Sequence, residues 1–308
     1  MRLLTAEDVA AALAPRALVD ALRDGFKAGA SVPLRHHHPL PGDDNAKGML
    51  LLMPAWREGA YLGVKIATVF TENPQRGLSS VMGVYYLCDG DTGTPLSVMD
   101  ATELTRRRTA AASALGADYL ARKDAKTLLV VGTGALAPHF IAAHRAVRAY
   151  ERVLVYGRNR ATAEALRDQV EGVELVDDLR DGVEAADVIS CITTSRDPVV
   201  PGEWLKPGQH LDMAGGFTPQ MRETDDDGMI RASIFIDSDG AIKEAGDLVQ
   251  PMKAGIITPE DIKGDLFQLT RGECPGRTAE DEITLFKSVG NAIEDLIAAA
   301  LAYETSQR

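Results

Sequence analysis

Three small residues have types and spacing that could let the backbone bind a phosphate-bearing ligand. Gly132, Gly134 and Ala137 follow the apolar run Thr127–Val131, which has the composition of a buried strand. The first glycine permits a tight turn, the second lets backbone N–H groups approach a pyrophosphate, and the small third residue lets a helix pack against the strand. The amino terminus of that helix would direct its positive dipole end at the phosphates. The pattern predicts a dinucleotide-binding turn, made by Gly132, Gly134, Ala135, Leu136 and Ala137.

The end of the next strand-like run indicates which dinucleotide is preferred. Arg152–Tyr156 is followed by Gly157, Arg158, Asn159 and Arg160, with no carboxylate among them. NAD-binding proteins usually have an Asp or Glu here, which accepts from the ribose 2′-OH, whereas an arginine suits a 2′-phosphate. The sequence therefore favours NADP(H), leaves NAD(H) possible, and assigns Arg158 and Asn159 to the cofactor.

Two basic residues stand in surroundings that are otherwise apolar. Lys65 interrupts a strand-like run, where an unpaired charge would be costly, so we expect it to face a cavity or an anion. Arg108 ends a run of three arginines on an alanine-rich helix, where one arginine would face inward. Two other interpretations remain open: Lys65 could pair with a structural carboxylate, and the arginine run could form a solvated face.

The elements that must position these residues begin with an amphipathic amino-terminal part. Thr5 is a candidate cap for the first of one or two helices. Strand-like runs separated by turn signals follow at residues 49–54, 61–70 and 80–87. We expect these runs to form an antiparallel sheet, followed by a long helix over Ala101–Leu120.

From residue 127 onward strand-like and helix-like segments alternate, which predicts a parallel sheet with right-handed crossovers. The expected segments are residues 127–131, 135–149, 152–156, 161–170, 173–176, 187–192, 208–213 and 233–237. A final amphipathic helix is expected over residues 284–303, and we assign it to the amino-terminal domain because no strand remains beside it. The predicted fold class is α/β, with a Rossmann-type parallel sheet domain over residues 119–280. A second, α+β domain would combine residues 1–118 and 281–308.

Bulk properties exclude several classes of protein. The chain has 308 residues and a net charge of −12, which argues against nucleic acid or an anionic membrane as a partner. No apolar run approaches the ~18–20 residues that would span a membrane. The amino terminus becomes acidic at once and lacks the apolar core of a signal peptide. Three widely spaced cysteines suggest no disulfide framework, so we expect a cytoplasmic enzyme.

The adjacent histidines His36, His37 and His38 invite comparison with a metal site. Neighbouring histidines on a loop cannot all point at one ion, and no further ligands with suitable spacing accompany them. We therefore expect no bound metal.

Several segments together resemble the ornithine cyclodeaminase/mu-crystallin family, over nearly the whole chain and in the family's order. They are residues 63–65, 79–83, 104–111, 132–137, 205–210 and 281–290. The resemblance implies a homodimer whose amino-terminal domain supplies both the dimer interface and the substrate site. It also implies a central Rossmann domain, with the last helix crossing back to the amino-terminal domain.

The resemblance also implies roles for individual residues. Arg35, Lys65 and Arg108 match the family's basic substrate-binding positions, and Ser80 matches a position near the substrate. Thr109 is placed to bond a cofactor phosphate. Ser288 and Gly290 resemble the family's contact to the nicotinamide end of the cofactor. From their positions after strand-like runs, Ala214 and Gly215 are expected close to the nicotinamide ribose, and Thr193 at the carboxyl edge where open α/β sheets bind ligands.

Phe217 is the most informative departure from the family pattern. Ornithine cyclodeaminases carry an aspartate in the glycine-rich stretch at this point, which they need as an acid/base group while ammonia leaves. Phenylalanine cannot take that role. We therefore expect reduction of small cyclic imino acids such as Δ1-pyrroline-2-carboxylate and Δ1-piperideine-2-carboxylate. In this interpretation Lys65 and Arg108 bind the substrate carboxylate and Arg35 closes the pocket. Lys65 also exchanges a proton near the substrate nitrogen.

Two alternatives remain for a chain of this family. One is an ornithine cyclodeaminase or alanine dehydrogenase in the same scaffold. The other is a non-catalytic, NADP-dependent binding protein of the mu-crystallin sort. Three basic residues around one pocket favour an enzyme, because a store for an apolar ligand would not need them.

Overall fold

The computed structural model describes residues 1–41 and 47–307, which form two compact units. Unit 1 comprises Met1–Arg108 and Asn291–Arg308, and unit 2 comprises Thr109–Gly290. The predicted boundaries at 118/119 and 280/281 both lie inside unit 2.

Unit 1 is built on one mixed sheet. Over its described residues the strand order is β1-β6-β5-β4-β3-β2, with β1 parallel to β6 and the other pairs antiparallel. The strands are β1 Arg2–Leu4, β2 His36–Leu40, β3 Gly48–Arg57, β4 Tyr61–Val69, β5 Val81–Asp89 and β6 Pro95–Asp100. The predicted antiparallel sheet is confirmed for β3, β4 and β5. The sequence pattern does not reveal β1 and β2, because β1 is very short and β2 is exposed and rich in histidine.

Helices cover one face of this sheet. They are α1 Ala6–Ala12, α2 Pro15–Ala28 and α11 Ala292–Thr305. Thr5 caps α1 as predicted, since its side chain accepts a hydrogen bond from the N–H of Asp8. Helix α11 packs on β3, β4, β5 and α2. Gly25 allows the close approach of α2 to α11, because a Cβ there would lie 2.1 Å from Ile297 Cδ1.

The predicted helix over residues 284–303 is wrong in its first part. Thr284–Lys287 is a buried strand, β14, and the helix begins only at Ala292, where Asn291 caps it. Between them the chain turns at Gly290, whose φ is +81°. A short apolar run does not distinguish a buried strand from a helix by its periodicity, which explains the error. Helix α11 does belong to unit 1, as expected for the last helix.

Unit 2 is built on a parallel sheet, as predicted. Over residues 109–290, all of which are described, the strand order is β13-β12-β14-β11-β10-β7-β8-β9. The strands are β7 Thr127–Val131, β8 Arg152–Tyr156, β9 Glu174–Leu175, β10 Val188–Cys191, β11 His210–Met213, β12 Ser233–Ile236, β13 Ile262–Asp265 and β14 Thr284–Lys287. Strands β7 and β8 have the predicted bounds. Strands β10, β11 and β12 lie within the predicted segments.

Helices of unit 2 connect these strands. They are α4 Ala137–Val147, α5 Arg160–Gln169, α6 Leu179–Ala185, α7 Asp226–Arg231, α8 Gly240–Glu244, α9 Gly246–Lys253 and α10 Leu266–Arg271. Helix α3, Ala101–Leu120, has the predicted bounds and carries the boundary between the units after Arg108. Strands β10, β11 and β14 are buried along their whole length, as expected where helices cover both faces of a parallel sheet. Among the described residues, no helix is both long enough and apolar enough to cross a membrane.

Candidate active site

Unit 1 contains a buried cluster of four charged side chains. Lys65 Nζ lies 2.7 Å from Asp295 Oδ2, and Arg108 Nε lies 2.9 Å from Asp295 Oδ1. Arg108 Nη1 lies 2.7 Å from Glu294 Oε2. All four residues are buried, Glu294 and Asp295 completely. We call Lys65, Arg108, Glu294 and Asp295 the charged cluster.

The local sequence explains how the charged cluster forms. Lys65 lies on the face of β4 that also presents Gly63 and Ala67, both buried and small, so the long side chain has room beside α11. Glu294 and Asp295 lie in the first turn of α11. Glu294 also accepts a hydrogen bond from the N–H of Asn291, which completes a capping box. The first turn of α11 therefore fixes the positions of both carboxylates.

The buried ammonium of Lys65 is paired with a carboxylate of the protein, as the structural interpretation of this residue expects, and its role in binding a substrate stays a prediction. Burial lowers the pKa of Lys65 to about 8; Asp295 opposes this shift, while the positive charges of Arg108 and Arg35 add to it. Burial would raise the pKa of Asp295, but Arg108 and Lys65 outweigh it and keep that pKa below its usual value. Lys65 is thus the cation of the charged cluster that can release a proton near neutral pH.

The arginine run divides as the inward-facing interpretation predicts. Arg108 is buried, whereas Arg106 and Arg107 are more exposed and pair with Glu103 on the same helix. The sequence could not identify Glu294 and Asp295 as partners of Arg108. An acid at the start of a helix has an ordinary structural explanation, as a partner of the helix dipole.

Two further predicted substrate residues lie on or beside the sheet of unit 1. Arg35 is partly buried and precedes β2, and its charge contributes to the lowered pKa of Lys65. Ser80 precedes β5, and its carbonyl accepts from the N–H of Phe70. Tyr85 stands opposite Lys65 in the strand register, so Ser80 lies about 17 Å along the strand from that position.

The glycine turn of unit 2 has the predicted form. Gly132 adopts a φ of +119°, and its N–H donates to the carbonyl of Tyr156 at 2.9 Å. A Cβ at Gly134 would meet no atom within 4 Å, so this position faces open space. Helix α4 begins at Ala137 after Leu136, which gives it no side-chain cap. Ala137 N–H already donates to the carbonyl of Gly134 at 3.0 Å, and Pro138 has no N–H, so it is the open space at Gly134, close to the helix start, that fits a phosphate group.

The basic segment after β8 is partly used for structure. Asn159 caps α5 by accepting from the N–H of Ala161 at 3.0 Å. Arg160 pairs with Glu164 and Asp177. Arg158, in contrast, is exposed directly beyond the strand. Of this segment, Arg158 is best placed for a 2′-phosphate.

The carboxyl ends of β10, β11 and β14 bring together predicted and unpredicted residues. Ala214 and Gly215 follow β11 and are buried, Thr193 follows β10, and Ser288 donates its N–H to the carbonyl of Met213 at 3.2 Å. Thr109, half-buried, is the first residue of unit 2. At these strand ends the residues missed from the sequence are Glu223, Asp247 and Lys287, all completely buried.

A signal for one of the missed residues was present in the sequence. Lys287 ends the apolar run Thr284–Lys287, just as Lys65 interrupts its own strand. Assigning this run to a helix hid the similarity. Phe217, the departure from the family pattern, lies on the loop after Gly216 and is 40% exposed.

Comparison with known proteins agrees with this arrangement. The profile of the ornithine cyclodeaminase/mu-crystallin family matches residues 1–308. The chain is 40% identical over 259 residues to Δ1-pyrroline-2-carboxylate reductase of Paracoccus denitrificans, covering 82% of each chain. Among solved structures it is similar to Δ1-pyrroline-2-carboxylate reductase of Thermococcus litoralis in complex with NADH and L-proline. That similarity has a TM-score of 0.94 at 35% identity and covers 100% of this chain and 98% of the other.

A second solved structure shares the fold. It is an archaeal alanine dehydrogenase dimer with bound NAD, at a TM-score of 0.92 and 30% identity. The match covers 100% of this chain and 96% of that one. Proteins of different activity therefore share this scaffold.

Proposed function

The chain belongs to the ornithine cyclodeaminase/mu-crystallin family, and from that premise we propose that it is an NAD(P)H-dependent oxidoreductase acting on CH–NH bonds. Its substrates would be cyclic ketimines: Δ1-pyrroline-2-carboxylate, giving L-proline, and Δ1-piperideine-2-carboxylate, giving L-pipecolate. The observation that carries the proposal is the buried pairing of Lys65 and Arg108 in one cluster. Such cations can orient a small carboxylate beside a group that exchanges a proton.

Unit 2 would bind the cofactor. When bound, NAD(P)H supplies the hydride that the ketimine carbon accepts. We expect the cofactor to be held by Thr109, Gly132, Gly134, Ala135, Leu136, Ala137, Arg158, Asn159, Thr193, Ala214, Gly215 and Ser288. Exposed Arg158 favours NADP(H). Both similar solved structures contain NAD or NADH, so we expect NAD(H) to be accepted as well.

Unit 1 would bind the substrate through its carboxylate. Glu294 and Asp295 already balance the charges of Lys65 and Arg108, so a bound carboxylate would be a third anion. Arg35 supplies the compensating positive charge in this proposal, and Ser80 is a weaker candidate contact. A neutral imine must also gain a proton at nitrogen when its carbon is reduced. Lys65 Nζ can hold and release that proton, because its pKa is lowered to about 8.

The alternative activities have less support from this chain's own residues. Cyclodeamination needs an acid/base group where Phe217 stands. Alanine dehydrogenation is favoured by one observation, the similarity to the archaeal alanine dehydrogenase at 30% identity. A binding protein without catalysis would gain nothing from a buried lysine that titrates near neutral pH.

We further propose that two copies of the chain associate through the exposed face of the unit 1 sheet. Apolar side chains 36–42% exposed lie on neighbouring strands: Trp56, Leu62, Ile66, Met82 and Val84. The register sets Trp56 opposite Leu62, and Ile66 opposite Val84. We call these five residues the apolar face. Contiguous exposed patches of this kind are typical of protein interfaces.

A cytoplasmic location is part of the proposal. Cys88, Cys191 and Cys274 are buried free thiols. Disulfides persist mainly in oxidising compartments, so unpaired cysteines agree with a reducing one.

Product identification distinguishes the proposed activity from its alternatives. The protein is incubated with NADPH or NADH and freshly prepared Δ1-pyrroline-2-carboxylate, and the product is separated by chiral chromatography. We expect L-proline and oxidised coenzyme in equal amounts. Ammonia release from L-ornithine, or L-alanine oxidation without ketimine reduction, would instead establish an alternative enzyme. Coenzyme binding without turnover of any of these substrates would indicate a binding protein.

A further inference from the structure

Unit 2 contains three buried charged residues that the proposed chemistry does not use. Glu223, Asp247 and Lys287 are each completely buried. Lys287 Nζ lies 2.9 Å from Asp247 Oδ2 and 4.0 Å from Glu223 Oε2. Burying two carboxylates with one ammonium is costly, so this arrangement requires compensating hydrogen bonds.

Glu223 receives those hydrogen bonds from two loops. Its Oε1 accepts from the N–H of Thr193 at 2.6 Å and from Thr193 Oγ1 at 2.9 Å. Its Oε2 accepts from the N–H of Gly215 at 2.8 Å and of Gly216 at 3.3 Å. Thr193 follows β10 and the glycines follow β11, which are neighbouring strands. One carboxylate therefore joins the carboxyl ends of two parallel strands.

Asp247 and Lys287 hold Glu223 in place. Asp247 Oδ1 accepts from the backbone N–H of Glu223 at 2.7 Å and of Thr224 at 3.2 Å. Its other oxygen faces the ammonium of Lys287, the last residue of β14. A third strand end is thereby tied to the same carboxylate pair.

The two glycines after β11 are required by this packing. A Cβ at Gly215 would lie 2.3 Å from Glu223 Oε1 and 2.0 Å from the carbonyl oxygen of Thr193. A Cβ at Gly216 would lie 2.4 Å from Asp247 Oδ2. The carboxylates and the loop backbone are in such close contact that a displaced carboxylate must displace the loop.

The loop held by Glu223 adjoins the dinucleotide turn. Strand β7, which precedes Gly132, lies next to β10 in the sheet. A Cβ at Gly132 would lie 3.0 Å from Ile192 Cγ1 and 3.1 Å from the Ile192 carbonyl oxygen. Ile192 immediately precedes Thr193. Strand order reverses between β7 and β10, and open α/β sheets bind ligands at such a point.

We propose that Glu223 is a positioning residue for the dinucleotide: its ionised carboxylate fixes the loops after β10 and β11, so that the cofactor binds a preformed edge of the sheet. The proposal rests on the part of the proposed function that concerns the cofactor, and does not depend on which substrate is reduced. Order in the free protein is favourable, because binding then costs less conformational entropy.

Protonation of Glu223 would weaken this arrangement. Burial raises the pKa of Glu223; Lys287 opposes the shift and Asp247 adds to it. The charged and titratable groups facing it are Lys287 from β14, Asp247 from α9 and Cys191 from β10. Cys191 stays a neutral thiol, because burial raises its pKa well above the usual value. Acidification should therefore act on this site mainly through Glu223.

The test measures NAD⁺ binding by calorimetry between about pH 8 and about pH 6, a range in which NAD⁺ itself does not titrate. We expect wild-type affinity to fall toward acid pH. In Glu223→Gln the amide can accept through one oxygen only, and its NH₂ would face backbone donors. We expect that variant to bind NAD⁺ about tenfold more weakly at the alkaline end, with little dependence on pH.

Two further variants separate positioning from general stability. Glu223→Asp keeps a carboxylate on a shorter side chain and should restore part of the pH dependence. Asp212→Asn changes another buried carboxylate of the same sheet, one that bonds His144 and Ser190 and not the loop N–H groups that Glu223 holds. It should lower thermal stability while leaving NAD⁺ affinity and its pH dependence unchanged.

Several results would contradict a positioning role for Glu223. The proposal is overturned if Glu223→Gln binds NAD⁺ as wild type does, if it keeps the wild-type pH dependence, or if Asp212→Asn weakens binding equally. Wild-type affinity that is constant over the pH range also contradicts it, and needs no variant to be folded. NAD⁺ binding that depends on Glu223 in a protein that reduces no ketimine would support the positioning role while the proposed reaction fails.

Discussion

Lys65 is the residue on which the proposed chemistry of unit 1 depends most. Its ammonium is buried, and burial together with two nearby arginines lowers its pKa to about 8 despite the opposing carboxylate of Asp295. Below that pH the side chain is a cation that can bind a carboxylate, and above it a neutral amine. The sequence predicted the unusual surroundings of Lys65, but could not supply its partner, which lies more than two hundred residues away in the chain.

We predict that carboxylate binding weakens in alkaline solution. Pyrrole-2-carboxylate is a suitable probe, because its ring nitrogen does not titrate in this range. Its inhibition constant should be constant below the pKa of Lys65 and rise by about tenfold per pH unit above about pH 8. Inhibition is measured against the ketimine at saturating coenzyme.

Lys65→Arg is the matched control for this prediction. An arginine stays charged throughout, so its inhibition constant should not rise in alkali, whatever its absolute value. An alkaline rise of equal size in the variant would mean that another group titrates. A flat wild-type profile would remove Lys65 from carboxylate binding.

A second prediction at this scale concerns coenzyme choice. Arg158→Ala should weaken NADPH binding by about tenfold and leave NADH binding nearly unchanged, because only the 2′-phosphate loses a charged partner. Arg160→Ala is the neighbouring control, since Arg160 is engaged by Glu164 and Asp177. Fluorescence titration with each reduced coenzyme measures both constants. Equal loss for the two coenzymes in Arg158→Ala would contradict a contact with the 2′-phosphate.

At the scale of elements, what could be predicted depended on the length and regularity of each pattern. The long helix α3 and the strands β7 and β8 follow from composition and periodicity alone. Strand β14 does not, because four buried residues fit a helix as well as a strand. Because this run was assigned to a helix, the sequence did not place Lys287 at a strand end near Asp247 and Glu223. The short helices α7 and α8 have too few residues for periodicity to reveal them.

Helix α11 carries two residues of the charged cluster, Glu294 and Asp295, and its capping residue is Asn291. Asn291→Ala removes the hydrogen bond to Ile293 N–H and should lower the free energy of unfolding by about 1 kcal/mol. Because Glu294 and Asp295 lie in the first turn, the pyrrole-2-carboxylate inhibition constant should change as well. Asn291→Ser keeps a capping side chain and should retain most of both properties. Unchanged stability in Asn291→Ala, by chemical denaturation, would show that the cap is dispensable.

At the scale of the whole molecule, the chain contains two kinds of sheet, which differ in how much of their side-chain surface is exposed to solvent. The parallel sheet of unit 2 has strands buried along their length, whereas the sheet of unit 1 leaves the apolar face exposed. Strand-like runs separated by turn signals made an antiparallel sheet predictable from the sequence. The assignment of the last helix to unit 1 was based on the family resemblance and on the lack of a remaining strand beside that helix in the parallel sheet. Local patterns alone do not specify such long-range connections.

The apolar face leads to a prediction about association. Wild-type protein should have the mass of a dimer by light scattering, and Ile66→Glu should shift it to the monomer, because a buried unpaired charge opposes association. Ile230→Glu is the control: Ile230 is 63% exposed on α7, outside the apolar face. The proposed interface would be contradicted by a monomeric wild type, or by equal dissociation of both variants.

The most direct test of the central claim is the initial rate of reduced-coenzyme oxidation after addition of Δ1-pyrroline-2-carboxylate. The near-ultraviolet absorbance of NADPH, and in parallel NADH, reports the rate for wild type and for Arg108→Lys. A lysine keeps one positive charge but cannot bond to both Glu294 and Asp295 as the guanidinium does. We therefore expect kcat/KM to fall by about a hundredfold while coenzyme affinity is retained. Rapid oxidation by wild type with that loss in the variant is the predicted result. No oxidation by wild-type protein that binds the coenzyme would contradict ketimine reduction.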